Sequence, residues 1–189
     1  MRSRTKRAVR RRGVCRPGCL TRSIIGVVVL LCGITSTAQD VTGPALKAAF
    51  VYQLPKFTEW PTPAIAPGSP FSLCVLGEAV VGEAFERMVK GRDYGGRRIA
   101  VSRLAPGATA LGCHALYVAQ GATGVQSVLA EVRERPVLTI SDIDGFTKLG
   151  GITQLYFDGG QLRLFIDPAA ANRAGLKISS RLLKLSKEP

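Results

Sequence analysis

Cys74, Cys113 and His114 are the side chains beyond the first 38 residues whose types best suit chemistry, and His114 is the only histidine of the chain. A cysteine beside a histidine can be a nucleophile beside its base, but adjacent residues in an extended segment point to opposite faces. The Cys113-His114 dyad therefore fails on geometry. Redox catalysis of the thioredoxin kind needs C-x-x-C, which neither cysteine supplies. One imidazole is too few for a clustered metal site, and no nucleophile-elbow motif offers it a serine. His114 thus reads as a strand-edge residue with satisfied hydrogen bonds. Asp142 and Asp144, just before Gly145, read as turn acids, and Gly91, Gly95 and Gly96 lack the strand-turn-helix setting of a phosphate loop. We expect no enzyme, no catalytic residue, no cofactor and no metal.

What the thiols do depends on their compartment, and the N-terminus speaks to that. Nine Arg or Lys and no acid occur up to Arg22, the apolar run Ile24 to Ile34 follows, and Thr35-Ser36-Thr37-Ala38 supplies small residues. These are the three parts of a secretory signal peptide, with cleavage expected after Ala38 and a mature domain over 39–189. Other forms of export stay open. Arg11-Arg12 loosely matches a twin-arginine signal, Cys32 a lipoprotein site despite bulky Leu31, and an uncleaved anchor would be short for a span. Cleavage removes Cys15, Cys19 and Cys32, and two thiols left in an oxidising compartment read as a Cys74–Cys113 disulfide. It also removes most of the +13 net charge, leaving 17 basic against 13 acidic residues, or +4. The case for a nucleic-acid partner goes with it.

The elements that carry these residues alternate in type. Leu46, Phe50, Leu54 and Phe57 recur at helical spacing, so Ala45 to Thr58 reads as a helix kinked at Pro55. Strands are predicted at Phe71 to Leu76, Arg97 to Leu104, Ala115 to Ala119 (with Cys113 opening it) and Val137 to Ser141, and helices at Val80 to Lys90 and Val125 to Arg135. Asp158-Gly159-Gly160 between two apolar runs predicts a hairpin, and Gly175 ends a helix from Pro168. A last helix capped by Ser180 is expected to turn Leu182, Leu183 and Leu185 inward, with residues 187–189 dispensable. The Pro-rich stretch 61–70 reads as a surface connection, and Trp60 and Phe57 beside it as core or as a partner anchor. The fold class is α/β, a single-domain sandwich with a mixed β-sheet flanked by helices and a late hairpin.

Ordered segments then bring in a family. Leu46-Lys47-Ala48-Ala49-Phe50-Val51-Tyr52, Lys56-Phe57-Thr58-Glu59-Trp60-Pro61, Phe71-Ser72-Leu73-Cys74-Val75-Leu76-Gly77 and Cys113-His114-Ala115-Leu116-Tyr117-Val118 resemble the YfiR family of bacterial periplasmic proteins. So do Val137 to Asp142, Gly145-Phe146, Gly150-Gly151-Ile152 and Ala174 to Leu185, across nearly the whole mature chain; Pro55, Asp167 and Ser186 depart from the pattern. The resemblance implies a non-enzymatic repressor. It would bind the periplasmic part of a membrane-anchored diguanylate cyclase and keep cyclic di-GMP and biofilm formation low. Release is linked to an outer-membrane lipoprotein and to redox stress acting on the disulfide. A homodimer and the partner-binding surface stay open, and the alternative is a periplasmic small-molecule binding module with its crevice at the strand ends.

Overall fold

The structure is a computed structural model that describes residues 43–77 and 79–188; the expected signal segment, 1–38, and its cleavage point lie outside the described residues. In chain order the elements are α1 (Gly43–Gln53), β1 (Thr58–Glu59), β2 (Phe71–Leu76), α2 (Ala79–Val89), β3 (Asp93–Tyr94), β4 (Arg97–Leu104) and β5 (Ala115–Val118). Then come α3 (Val125–Val132), β6 (Leu138–Ser141), β7 (Thr153–Asp158), β8 (Gln161–Ile166), α4 (Pro168–Arg173), β9 (Lys177–Ile178) and α5 (Ser180–Leu183). Seven strands make one sheet in the order β3-β4-β2-β5-β6-β7-β8, and β1 pairs separately with β9. Its five central strands run parallel and its two edge strands antiparallel, so the mixed sheet and late hairpin agree with the sequence reading.

Alternation along β2 divides the core. Phe71, Leu73 and Val75 join Ala115, Tyr117 and Phe85 of α2 on one face, while Cys74 and Leu76 join Leu116, Val118 and the α3 residues Val128, Leu129 and Val132 on the other. Each strand residue thus serves one of two helical layers, which is why β5 is buried at all four positions. A large apolar side chain buried this completely contributes about 1.5–3 kcal/mol.

The first helix is shorter than its periodicity suggests. Proline lacks an N–H and its ring collides with the carbonyl four residues back, so α1 stops at Gln53 and Leu54–Phe57 form a 3-10 turn around Pro55. Thr58 then leaves the helix altogether, pairing with Ile178 across the small β1–β9 ladder. The hairpin matches its prediction closely: Asp158 pairs with Gln161 across Gly159 and Gly160, whose φ values of 55° and 76° suit a type I′ turn.

The C-terminus departs from expectation. Ser179, not Ser180, caps α5, its hydroxyl accepting the Leu182 N–H at 3.3 Å. A single helical turn presents one position inward, so Leu182 is buried, Leu183 half-buried, and Leu185 64% exposed. Beyond α5 the chain runs beside β8. Ser186 Oγ accepts the Ile166 N–H at 2.8 Å, the Lys187 N–H donates to the Leu164 carbonyl at 3.0 Å, and the Tyr156 hydroxyl donates to the Lys187 carbonyl at 2.9 Å. Residue 187 is therefore hydrogen-bonded to the sheet's margin.

Candidate functional site

Cys74 sits mid-strand in β2, its side chain on the α3 face. Cys113 precedes β5, which starts at Ala115, two residues later than the sequence suggested; its N–H donates to the Ala110 carbonyl at 3.1 Å. The two cysteines are joined by a disulfide with a Cα–Cα distance of 5.8 Å, and they are only 3% and 5% exposed. The bond ties the long crossover between β4 and β5 to a central strand. Both cysteines are buried, Cys113 at the wall of a cleft.

His114 continues the same joint on the other side. Its Nδ1 accepts the Ser72 N–H at 2.8 Å, its own N–H donates to the Ser72 carbonyl at 2.9 Å, and the ring also hydrogen-bonds the Ala64 backbone. With both ring nitrogens held by the backbone, the imidazole is a strut between β2 and the Pro-rich loop. Burial pushes its pKa below the usual histidine range; the Ala64 carbonyl works in the opposite sense and the Arg97 charge in the same one. A depressed folded pKa means the unfolded chain takes up the proton first. Stability linked to His114 is thus present above about pH 6.5 and is lost as pH falls from there through the lower folded value. Thermal melts between pH 7.5 and 5 are expected to show this loss in the wild type and a flatter profile in His114→Asn; identical slopes would remove the strut from the account.

The loop 61–70 is pinned at further points. Arg97 donates to the Ala66 and Ser69 carbonyls at 2.9 and 3.2 Å, and the Trp60 indole N–H donates to the Pro136 carbonyl at 2.9 Å. Trp60 meets Phe71 and Tyr94 edge-on at 5.3 and 5.8 Å. Trp60 and Phe57 are half-buried against the main core, so the core reading applies to both in place of a free aromatic anchor. Beside them a cleft of about 350 Å³ is lined by Ala64, Leu111, Cys113, His114, Arg135 and Pro136.

Asp142 is not a turn acid. It stands just past β6, where its carboxylate accepts the Tyr117 hydroxyl at 2.9 Å and the Gln120 N–H at 3.2 Å, and it pairs with the Lys47 ammonium of α1. Three segments thus converge on one carboxylate whose side chain is 9% exposed. Asp142→Ala is expected to cost about 1–3 kcal/mol, because it removes the charged acceptor shared by the Tyr117 hydroxyl and the Gln120 N–H and the counter-ion of Lys47. Chemical denaturation checks it, and an unchanged midpoint would show the cluster to be incidental. Asp144, by contrast, is exposed.

Strand order reverses between β2 and β5, the place where open α/β sheets form ligand crevices. Here the chain closes it. Gly77 has φ +111°, and a Cβ there would lie 2.9 Å from the Ala119 Cβ and 3.2 Å from the Ala122 Cβ. On the α3 side a cleft of about 380 Å³ remains, lined by Leu76, Gly107, Thr109, Gly124, Ser127 and Glu131. The Ala110 N–H and the Thr109 hydroxyl both donate to Glu131 and hold its carboxyl below the usual range. That carboxylate is already committed to the crossover loop. Among the described residues no group of three or more His, Cys, Asp or Glu could hold a metal ion.

The sequence model of the family described as YfiR/HmsC-like matches residues 44–187. No curated protein matches the chain. Among solved structures, a conserved domain protein from Vibrio cholerae O1 biovar El Tor shares the fold with a TM-score of 0.54 at 12% identity, over 77% of this chain. This chain spans 60% of that protein's length.

Proposed function

The chain belongs to the YfiR/HmsC-like family, and from that we infer a periplasmic regulator in cyclic di-GMP signalling, one that binds the periplasmic sensor part of a membrane-anchored diguanylate cyclase and holds it inactive. The observation that carries the reading is the match over 44–187, which takes in the disulfide, the His114 strut and the Asp142 cluster together. A repressor of this kind needs only a higher affinity for one of two states of its target. An imidazole whose nitrogens are both spent on backbone, and a disulfide that braces a central strand, suit such a scaffold. The outer-membrane lipoprotein that relieves repression completes the proposed circuit, and no catalytic residue enters it.

Deleting the gene in a strain expressing the cognate cyclase is expected to raise cyclic di-GMP several-fold and to increase surface attachment. Unchanged cyclic di-GMP with an active cyclase would overturn the reading. The cleft of about 380 Å³ beside α3 favours one second reading, a small-molecule binding module. A diguanylate cyclase gene next door supports the first reading and a transporter operon the second. Export is tested separately: the N-terminal mass of secreted protein should begin at Gln39, and retention of residues 1–38 or lipid on Cys32 would contradict it.

A further inference from the structure

The two long edges of the sheet are finished differently. At β8 the C-terminal segment covers Leu164 and Ile166 with backbone and hydroxyl hydrogen bonds. At β4 the outer partner is β3, which reaches only Arg97 and Arg98, whereas β2 pairs with all of Ile99–Leu104 along the inner side. Among the described residues no strand pairs with the outer side of those six. Tyr94 and Arg97 face each other across the two-residue turn Gly95-Gly96, the position where hairpin partners exchange both hydrogen bonds. Arg97 therefore points its backbone groups outward, and by alternation so do Ile99, Val101 and Arg103. This leaves an unpaired edge about 20 Å long, at roughly 3.3 Å per residue.

Exposed edges are normally blunted by a proline, a bulge, a covering element or a protruding charge. Proline is absent from β4, and its pairing with β2 is unbroken. Its one charge in the open half, Arg103, is drawn sideways onto α2, where it pairs with Glu86 at 3.0 Å and fills the notch left by Gly82. The surroundings are basic. Lys90, Arg92, Arg97 and Arg98 stand beside Arg103, which Glu86 neutralises, and the one acid between 90 and 104 is Asp93, whose carboxylate already accepts the Gly96 N–H at 3.1 Å. A second copy fits poorly, since antiparallel pairing across Val101 would set Arg103 of each copy diagonal to Arg97 of the other.

We propose that the outer edge of Ile99–Leu104 is the surface that docks the target, receiving an extended acidic segment of it as an added strand. Main-chain hydrogen bonds to Ile99, Val101 and Arg103 supply affinity, and the basic margin selects the acidic segment. The proposal rests on the reading of a cyclase sensor domain as the target.

The test uses the mature protein and the purified periplasmic domain of the cognate cyclase. Val101→Pro removes an outward N–H and leaves the bonds to β2 in place; Arg98→Glu reverses an exposed charge. Each is expected to weaken binding at least tenfold, and the Ile99, Val101 and Arg103 amides of the wild type should exchange at least tenfold more slowly in the complex. Should Val101→Pro fail to fold, the exchange data and Arg98→Glu decide. Wild-type binding with unchanged exchange and an unaffected Arg98→Glu overturns the docking edge and spares the regulator. Variants that self-associate while binding normally also overturn it, since the arginines would then only keep copies apart. No binding by the wild type overturns both readings.

Discussion

Replacing Cys74 or Cys113 with serine is expected to lower the unfolding free energy of the mature domain by about 2–5 kcal/mol. The bond closes a loop with a sequence separation of 39, for which chain entropy alone gives about 4 kcal/mol. Burial adds to this, because each sulfur lies in the layer shared with Leu76, Leu116 and Val137, where serine would place a hydroxyl among apolar neighbours. A loss of this size is a large fraction of the stability of an ordinary domain. In cells the variants should behave as partial deletions, since apparent affinity falls with the fraction of competent protein. Urea titration of each variant checks the magnitude. Two free thiols in the native wild type, or serine variants with an unchanged midpoint, would refute it.

Truncation after Ser180 is expected to destabilise the domain by about 3 kcal/mol or more, leaving aggregation-prone material. The cut removes Leu182, which is 5% exposed, and a buried leucine is worth about 2–5 kcal/mol. It also removes the Ser186 hydroxyl and the Lys187 backbone from the β8 margin. Removing only 187–189 loses the Leu164–Lys187 and Tyr156–Lys187 hydrogen bonds, a cost of about 1 kcal/mol for each exposed bond at most. Comparing the two melting temperatures tests both. A wild-type value for the longer truncation would mean that the segment does not belong to the folded unit.

The parts of this architecture that repeat are legible in the sequence. Apolar runs such as Ala115 to Val118 and the Asp158-Gly159-Gly160 turn carry their own period or turn chemistry, so strands, helices and hairpin fell close to their predicted places. Elements that exist only through long-range pairing carried no local mark. The two-residue strands β1 and β9 are one case, and Lys47–Asp142, joined across 95 positions, is another. Asp142 looked like a turn residue because its neighbours Asp144 and Gly145 are turn formers; its role is set by Tyr117 and Lys47, which no spacing rule connects to it. The open side of β4 was equally hidden, because an edge is defined by what fails to pair with it.

Enclosing the disulfide also makes its chemistry a matter of timing. A thiolate in solution attacks only those molecules in which a sulfur is accessible, so reduction proceeds at the intrinsic exchange rate multiplied by the accessible fraction. Any partner that lowers that fraction slows reduction by the same factor. On the proposed reading, a target whose docking restricts access to the sulfurs would shelter the bound molecules, and a reducing pulse would consume the unoccupied pool first.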